Sequence, residues 1–252
     1  MYDQHGIWHE NSQVRAGDID PQGRLKALAI VGLFQEGAAN HAGYLKVDYY
    51  KLIPMDLAWV LSRIIVKVEN LPGWKTNLEM RTWPTGFEGL FAFRDFILTS
   101  PEAGNVARAV TSWVLIHPSK KIPARKHDIF GSIPFNKDIR SLDLYPRKLP
   151  PLEDWDWEKQ YEVRYHEIDL NWHVNNIYYL QWALESMPGE FLDSSSIREF
   201  EINFLSEALY GDKVVCRTKC RDTNNLLYSH QLLNPATGKE LARIRTEWRN
   251  EK

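Results

Sequence analysis

An internal repeat constrains the fold of this chain more than any other feature. The sequence Val-Arg-Ala-Gly-Asp-Ile-Asp at residues 14–20 matches Val-Arg-Tyr-His-Glu-Ile-Asp at residues 163–169. Further along, residues 108–113 match residues 243–248, so the matches keep the same order in both halves. The copies lie much farther apart than the roughly 20 to 50 residues of a solenoid unit, and this predicts a duplicated domain.

Each half shows the same succession of a short strand, a helix and a run of strands. Apolar residues recur at helical spacing over residues 25–33 and 177–187. In the second half Asn175 or Asn176 is expected to cap the helix, and Pro188 to end it. Packing one helix against a curled antiparallel sheet predicts an α+β fold. The predicted strands are residues 57–68, 77–83, 90–98 and 106–117, then 199–205, 213–220, 226–233 and 240–248.

A proline-rich, charged segment without clear periodicity separates the two halves, which is typical of a linker. Its prolines are Pro123, Pro134, Pro146, Pro150 and Pro151. Because so long a loop without structure is uncommon, the segment is expected to lie against the domains. The predicted organisation is a first domain at residues 1–117, a linker at 118–157 and a second domain at 158–252.

The composition excludes two classes of protein. The formal net charge is −2, so a nucleic-acid partner is not expected on electrostatic grounds. No run approaches the about 18 apolar residues of a membrane span. Hydrophobic residues make up 44% and aromatic residues 12%, which is enough for a sizeable core and suits an elongated apolar ligand.

The two cysteines favour a reducing compartment. Cys216 and Cys220 are four residues apart in a predicted strand, a separation of about 13 Å that a disulfide does not span. The N-terminal residues carry neither the basic nor the apolar region of a signal peptide. A cytoplasmic protein of bacterial origin is therefore expected. Zinc would need further ligands nearby, and no metal or other cofactor is implied.

Three polar residues stand at alternate positions just before the second helix: Asp169, Asn171 and His173. If the backbone is extended there, these side chains point to the same side. An acid, an amide and an imidazole would then share one small volume, which is the chemistry that a hydrolase needs.

The first half keeps only part of this motif. Asp20 retains the carboxylate, whereas Gln22 and Arg24 stand where the second half has its asparagine and histidine. The fold therefore tolerates the loss of asparagine and histidine at these positions, which predicts a single active site, in the second half. The shared aspartate also indicates that Asp169 has a partly structural role.

The sequence Asn-Trp-His-Val-Asn-Asn-Ile-Tyr-Tyr at residues 171–179 resembles the active-site signature of plant and bacterial acyl-acyl carrier protein (acyl-ACP) thioesterases. The resemblance extends over roughly residues 14–248. It implies two tandem hotdog domains, each a long helix wrapped by a curved antiparallel sheet. It also implies hydrolysis of the thioester between a fatty acyl chain and acyl carrier protein, with the first domain holding the substrate. Similar strings occur at residues 59–63, 72–74, 94–98 and 109–114.

This resemblance also implies the catalytic positions, which fall on Asp169, Asn171, His173 and Glu207. The family often has a cysteine directly after that glutamate, where this chain has Ala208, so a cysteine nucleophile is excluded at that position. Acyl carrier protein is the implied partner. The oligomeric state, with a homodimer among the options, stays open.

The absence of a Gly-x-Ser-x-Gly elbow favours attack by water or by a carboxylate. In the preferred scheme Glu207 and Asp169 activate water or attack directly. Asn171 positions water or polarises the carbonyl, and His173 orients a carboxylate or transfers a proton. The sequence does not separate water attack from an acyl-carboxylate intermediate.

Two assignments have competing structural interpretations. Asn175 and Asn176 are better explained as helix caps, although the backbone N–H groups near them could stabilise an oxyanion. Glu207 is paired by the repeat with Glu69, another acid, so a shared structural role competes with catalysis.

Three other functions remain as alternatives. A thioesterase acting on acyl-coenzyme A is the first, and the basic residues Lys120, Lys121, Arg125 and Lys126 do not decide between the two carriers. A hotdog dehydratase is less favoured, because its usual motif places aspartate and histidine five apart with a proline between them. A non-catalytic acyl-binding module is the third.

Overall fold

The computed structural model describes residues 1–124, 131 and 133–251. It divides into two compact units, Met1–Pro146 and Arg147–Lys252. The boundary between the units falls within the segment of residues 118–157 that is predicted as a linker. Arg125 and Lys126, two of the basic residues considered above, lie outside the described residues. Within the described residues, no helix combines the length and apolar character that a membrane span requires.

The first unit is an antiparallel sheet with one long helix. The strand order across the sheet is β1-β3-β4-β5-β2, and the short β6 pairs with β5. Each of the four predicted strand segments of this half overlaps an observed strand. The elements are β1 (Trp8–Gln13), α1 (Ala27–Tyr44), α2 (Tyr49–Leu52), β2 (Ala58–Val68), β3 (Asn77–Glu88), β4 (Phe91–Ser100), β5 (Gly104–His117) and β6 (Ile122–Pro123).

The second unit repeats this arrangement with the strand order β8-β11-β10-β9-β7, again antiparallel. Its first helix is shorter, because Pro188 lacks the N–H that would continue it and a separate helix begins at the next residue. The elements are β7 (Trp157–Glu162), α3 (Asn176–Glu185), α4 (Gly189–Ser194), β8 (Ser195–Phe204), β9 (Lys213–Asp222), β10 (Leu227–Asn234) and β11 (Lys239–Asn250).

The core of the first unit lies between α1 and one face of the sheet. Phe34 of α1 and Phe96 of β4 are both 1% exposed, and their ring centroids are 4.9 Å apart. Gly37 allows α1 to approach β3, since a Cβ at this position would lie 1.8 Å from the Met80 Cε. Phe34 and Gly37, one turn apart on α1, therefore both face the sheet.

The opposite face of the same sheet is covered by part of the predicted linker. Asp95 of β4 is fully buried, and its Oδ2 accepts hydrogen bonds from the Ser141 N at 2.6 Å and the Ser141 Oγ at 3.0 Å. The Arg140 Nε donates to the same oxygen at 3.1 Å. These contacts hold residues 140 and 141 on the sheet, as the expectation that the linker lies against the domains requires.

In the second unit a buried histidine links three strands and the helix end. The His230 Nδ1 is 3.0 Å from the Thr218 Oγ1, and its Nε2 is 2.9 Å from the Thr246 Oγ1. The Ser186 hydroxyl lies 2.9 Å from the Thr218 Oγ1. Burial lowers the pKa of His230 to about 3, so the imidazole is neutral at physiological pH.

This histidine predicts an acid-sensitive fold. Between pH 6.5 and about 3 the unfolded chain binds a proton at His230 that the folded chain does not bind. The free energy of unfolding should therefore fall as the pH drops, by about 1.4 kcal/mol per pH unit from this group. Urea unfolding at a series of pH values from 7 to 4 measures the slope. The His230→Gln variant should show a shallower slope, and an unchanged one would contradict the assignment.

Candidate active site

Residues 169–173 form a tight turn, so the expectation of an extended segment is wrong. The Trp172 N donates to the Asp169 O at 3.0 Å, and the Asp169 N donates to the His173 O at 2.8 Å. Ile168 and Val174 pair as an isolated bridge on either side. Alternation along a strand therefore does not set the direction of these side chains, because the turn itself does.

The first unit contains the same turn at residues 20–24. The Asp20 N donates to the Arg24 O at 2.8 Å, and Gly23 has a φ of 78°. The second unit has Trp172 at the glycine's position, with a φ of 61° and 75% of its surface exposed. A left-handed backbone suits glycine and strains a bulky side chain, and such strain is typical of functional segments. Sequence reasoning missed Trp172, although its match to Gly23 in the repeat was the available signal.

The two aspartates hold their turns in the same way. The Asp20 Oδ1 accepts from the Gln22 N at 3.0 Å and from the Arg24 N at 2.8 Å. The Asp169 Oδ1 accepts from the Asn171 N at 2.8 Å. One carboxylate oxygen of Asp169 is therefore engaged in holding the backbone, as its match with Asp20 indicated.

The histidine of the motif pairs with the distant glutamate. The His173 Nε2 lies 3.3 Å from the Glu207 Oε2, and both side chains are about one-third exposed, at 37% and 35%. In the first unit the matching Arg24 instead pairs with its own turn, with the Arg24 Nε 2.8 Å from the Asp20 Oδ2. The first unit thus has an ion pair within the turn, between Arg24 and Asp20. The second unit, with histidine in place of the arginine, has a pair that joins the turn to another loop.

The structure corrects the pairing of Glu207 with Glu69. The Val174 N donates to the Ala208 O at 3.0 Å in the second unit, and the Leu25 N donates to the Pro72 O at 2.9 Å in the first. Because Val174 and Leu25 match in the repeat, Pro72 corresponds to Ala208. The residue before it, Leu71, then corresponds to Glu207.

Glu69 itself has a separate structural role. Its N donates to the Val106 O at 2.9 Å, and its Oε1 lies 2.6 Å from the Arg108 Nε. The first unit therefore has neither the histidine nor the glutamate of the pair, since Arg24 and Leu71 stand in their places. The competing structural interpretation of Glu207, which rested on Glu69, loses its basis.

Tyr179 of α3 positions the loop that carries Glu207. Its hydroxyl donates to the Ser206 O at 3.2 Å and accepts from the Ala208 N at 3.0 Å. The side chain is 2% exposed, and burial raises the pKa of its phenol well above its usual value. Sequence reasoning gave no role to Tyr179, although the tyrosine is the last residue of the motif at residues 171–179.

Removing this hydroxyl should loosen the loop. In the Tyr179→Phe variant the Ala208 N–H remains buried without its acceptor, which typically costs about 1–3 kcal/mol. Chemical denaturation measures this loss. Tyr178→Phe is the matched control, because the Tyr178 hydroxyl donates to the carbonyl of an exposed residue. Equal stability of the Tyr179→Phe variant and the wild type would contradict the positioning role.

The remaining predicted residues lie around the same turn. Asn171 is exposed on it. Asn175 is the N-cap of α3, since its side chain accepts from the Ile177 N at 3.0 Å. The Asn175 N–H is not free for an oxyanion, because it donates to the Glu167 O at 2.8 Å. Among the described residues the Asn176 N–H, the first of the helix, has no hydrogen-bond partner.

Models of two domains match almost the whole chain. The acyl-ACP thioesterase N-terminal domain matches residues 6–130, and the acyl-ACP thioesterase C-terminal domain matches residues 153–250. The chain belongs to the acyl-ACP thioesterase family. The predicted family is thereby confirmed.

Known proteins of similar sequence and structure support this family assignment. A chloroplastic dodecanoyl-[acyl-carrier-protein] hydrolase of Cinnamomum camphora is 28% identical over 263 residues, covering 97% of this chain and 68% of that protein. An acyl-ACP thioesterase from Bacteroides thetaiotaomicron superposes with a TM-score of 0.86 at 20% identity, covering 99% of this chain and 100% of the other. The 12:0-ACP thioesterase from Umbellularia californica gives 0.86 at 24% identity, with coverage of 98% and 95%. These likenesses confirm the hotdog fold.

In this acyl-ACP thioesterase a cleft of about 300 Å³ opens beside the turn. Asp169 and Asn175 line it together with Tyr178 and Gln181 of α3. Asp169 therefore belongs both to the lining of the cleft and to the turn that carries His173.

Neither cysteine of this acyl-ACP thioesterase is among the described residues that line the cleft. Ala208 is fully buried, with its amide and carbonyl both hydrogen-bonded. Cys216 and Cys220 are free cysteines on β9, and burial raises the pKa of the Cys216 thiol to about 11. Among the described residues no group of three or more histidine, cysteine or acidic side chains is arranged to hold a metal ion.

Proposed function

We propose that this chain hydrolyses fatty acyl-ACP to a free fatty acid and the carrier protein. The observation that carries the proposal is the His173–Glu207 pair, which joins the motif turn to a second loop at 3.3 Å and has no counterpart in the first unit. The family to which the chain belongs supplies the substrate class.

In the proposed reaction His173 is the base and Glu207 orients it. With its proton on Nε2, toward the Glu207 Oε2 3.3 Å away, the His173 imidazole would accept a proton from water at Nδ1. The water oxygen attacks the thioester carbonyl carbon. As the tetrahedral intermediate collapses, the carbon–sulfur bond breaks and the imidazolium returns the proton to the carrier's thiolate.

Three neighbours would assist this reaction. Asp169 holds the turn through the Asn171 N–H, which supports a positioning role for it. The exposed Asn171 amide would polarise the carbonyl. The open Asn176 N–H at the start of α3 would stabilise the oxyanion, since a helix N-terminus favours negative charge.

Attack by the Glu207 carboxylate itself is the alternative mechanism. It would form an acyl anhydride, which hydroxylamine would convert to a hydroxamate during a single turnover. We expect no hydroxamate above the level of uncatalysed aminolysis, because Glu207 faces the imidazole. Accumulation of hydroxamate in proportion to enzyme would replace water attack with carboxylate attack.

Parallel turnover assays test the function and the carrier together. Matched acyl-ACP and acyl-coenzyme A series, from short to long chains, are compared at equal concentrations. We expect faster hydrolysis of acyl-ACP. Gln22→Ala in the first unit is the control for Asn171→Ala in the second, and should leave the rate near that of the wild type. Faster hydrolysis of acyl-coenzyme A would overturn the carrier assignment, and no hydrolysis of either would support a binding module.

The proposal also covers the roles of the two domains, the location of the protein and its oligomeric state. We assign holding of the acyl chain to the first domain and chemistry to the second, because the pair occurs in the second. The two free thiols support a cytoplasmic location. A homodimer is tested directly by the mass of the protein in solution.

A further inference from the structure

Large apolar side chains are exposed on the two loops of the second unit that form the candidate active site. Their exposed fractions lie between 43% and 75%. We call them the apolar patch: Tyr165, Leu170 and Trp172 on the first loop, and Leu205, Leu209 and Tyr210 on the second. The Gly211 N donates to the Val163 O at 3.2 Å, and the rings of Tyr165 and Tyr210 meet edge to face with centroids 5.9 Å apart. The patch therefore extends across both loops.

The first unit forms the same two loops without this patch. Its first loop matches position by position through the repeat. Its second loop matches through the backbone, since the Glu69 N donates to β5 where the Leu205 N donates to β11. The residues at the patch positions are Ala16, Pro21, Gly23, Glu69, Gly73 and Trp74. Of these, Trp74 alone is a large apolar side chain. The fold therefore does not require the patch, which accompanies the His173–Glu207 pair.

Trp172 indicates most directly that the patch serves binding. Its backbone is left-handed, with a φ of 61°, which strains a bulky side chain and which Gly23 adopts without strain in the first unit. Because most of the indole is exposed, burial within the chain offsets little of this cost. Tryptophan and tyrosine also dominate the binding energy of many interfaces. The patch therefore has the composition of an interaction surface.

The area of the patch favours a partner that binds and leaves. Three aromatic and three leucine side chains with these exposed fractions offer roughly 400–700 Å² of apolar surface. A stable interface buries about 800 Å² on each partner, and a transient one less than about 600 Å² on each. The patch is therefore smaller than the contact of a permanent dimer and has the size of a transient contact.

The charges beside the patch do not favour a lipid surface. Over residues 162–174 and 205–213, all of which the structure describes, the exposed charged side chains are Glu162, Arg164 and Lys213. Glu162 pairs with Lys213 at 2.6 Å. One acid and two bases leave a single positive charge, whereas segments that bind anionic membranes carry about four to eight basic residues. A protein partner is therefore favoured.

We propose that the apolar patch docks acyl carrier protein while its acyl thioester reaches the His173–Glu207 pair. The inference rests on the proposed function, which supplies the carrier, and it adds the surface that receives the carrier. The patch lies on the same two loops as the pair, so a molecule that covers the patch also covers the approach to the pair. A permanent occupant would block turnover, whereas a carrier delivers the substrate and then dissociates.

Binding of the carrier without turnover tests this surface directly. Titration calorimetry measures the Kd of the full chain for holo-acyl carrier protein, which carries no acyl group. The double variant Tyr165→Ala/Trp172→Gly takes the residues that the first unit has at these positions, so its loops should fold, and thermal unfolding checks this. We expect its Kd to rise at least tenfold, as for the loss of two aromatic residues at the centre of an interface. Trp74→Ala in the first unit is the matched control and should bind like the wild type.

Substrates with and without the carrier separate docking from chemistry. Dodecanoyl-acyl carrier protein is compared with dodecanoyl-N-acetylcysteamine, a thioester of a small thiol. The double variant should lower kcat/KM for the first substrate at least tenfold more than for the second, mainly through KM. Equal losses on the two substrates would mean that these side chains act on the reaction or on the fold, and would overturn the docking role.

Other occupants of the patch give different results with the same variant. A dimer in sedimentation that the double variant loses would assign the patch to a second copy of the chain. Binding to vesicles of phosphatidylglycerol and phosphatidylcholine that the double variant loses would assign it to lipid. Either result overturns the carrier assignment, and so does a wild-type chain that does not bind holo-acyl carrier protein.

The two proposals fail in different ways. Hydrolysis of acyl-ACP by the wild type, together with an unchanged Kd of the double variant for holo-acyl carrier protein, overturns this inference alone. A raised Kd of the double variant, together with no hydrolysis of either thioester by the wild type, overturns the proposed function alone.

Discussion

The Glu207→Gln variant is expected to lower kcat for acyl-ACP hydrolysis about 10³-fold, within the range typical of a lost acid–base function. The amide is neutral and no longer stabilises the imidazolium that forms when His173 accepts a proton. KM should change by less than threefold, because the pair acts on the transition state more than on bound substrate. Steady-state kinetics measure both constants, and thermal unfolding checks that the variant is folded.

Combining changes at both residues tests whether they act as a unit. His173→Ala alone should lower kcat about as much as Glu207→Gln, and the double variant should be no slower than the worse single variant. Glu69→Gln is the matched control, since Glu69 is a glutamate of the first unit that pairs with Arg108. It should retain the wild-type kcat. Additive effects of the two substitutions on the activation free energy would show that Glu207 does not work through His173.

The Asp95→Ala variant is expected to lose about 3 kcal/mol of unfolding free energy, because breaking a buried, hydrogen-bonded ion pair leaves its partners unsatisfied. The Ser141 N–H and hydroxyl and the Arg140 Nε all donate to one oxygen of this fully buried carboxylate. Urea unfolding of the full chain measures the loss. Residues 140 and 141 should also exchange their amide hydrogens faster.

Asp95→Asn separates hydrogen bonding from charge. The asparagine keeps an oxygen that can accept from the Ser141 N–H, while it removes the attraction to Arg140. We expect about half the loss of the alanine variant. A loss equal to that of alanine would mean that the ion pair, and not the hydrogen bonds to Ser141, holds the segment.

Local sequence patterns predicted much of the secondary structure. Helical spacing and strand composition placed the helices and the strand segments, because backbone periodicity is set by near neighbours. The short turns were harder. Residues 169–173 were expected to be extended, but the Asp169 carboxylate and a left-handed residue close a turn instead. Turn geometry depends on individual side-chain hydrogen bonds, which a two-residue alternation does not describe.

The sequence alignment of the two halves was correct within continuous strings of matching residues. It was wrong where an insertion or deletion separates the matches. Residues 14–20 and 163–169 match both in sequence and in the structure of the turns that follow. Glu69 and Glu207 share a residue type, yet their loops are offset, and the hydrogen bonds of Pro72 and Ala208 show it. An insertion or deletion between strands shifts the alignment without changing the residue types, so only the paired backbone resolves it.

The sequence by itself determined the duplication, the α+β fold, the family and the half that carries the histidine, because all of these depend on order and spacing along the chain. Only the tertiary structure decided which acid faces that histidine, and that the Asp95 carboxylate binds Ser141 of the segment predicted as a linker. These are contacts between residues far apart in sequence, and they depend on strand register and helix packing, which no local spacing records.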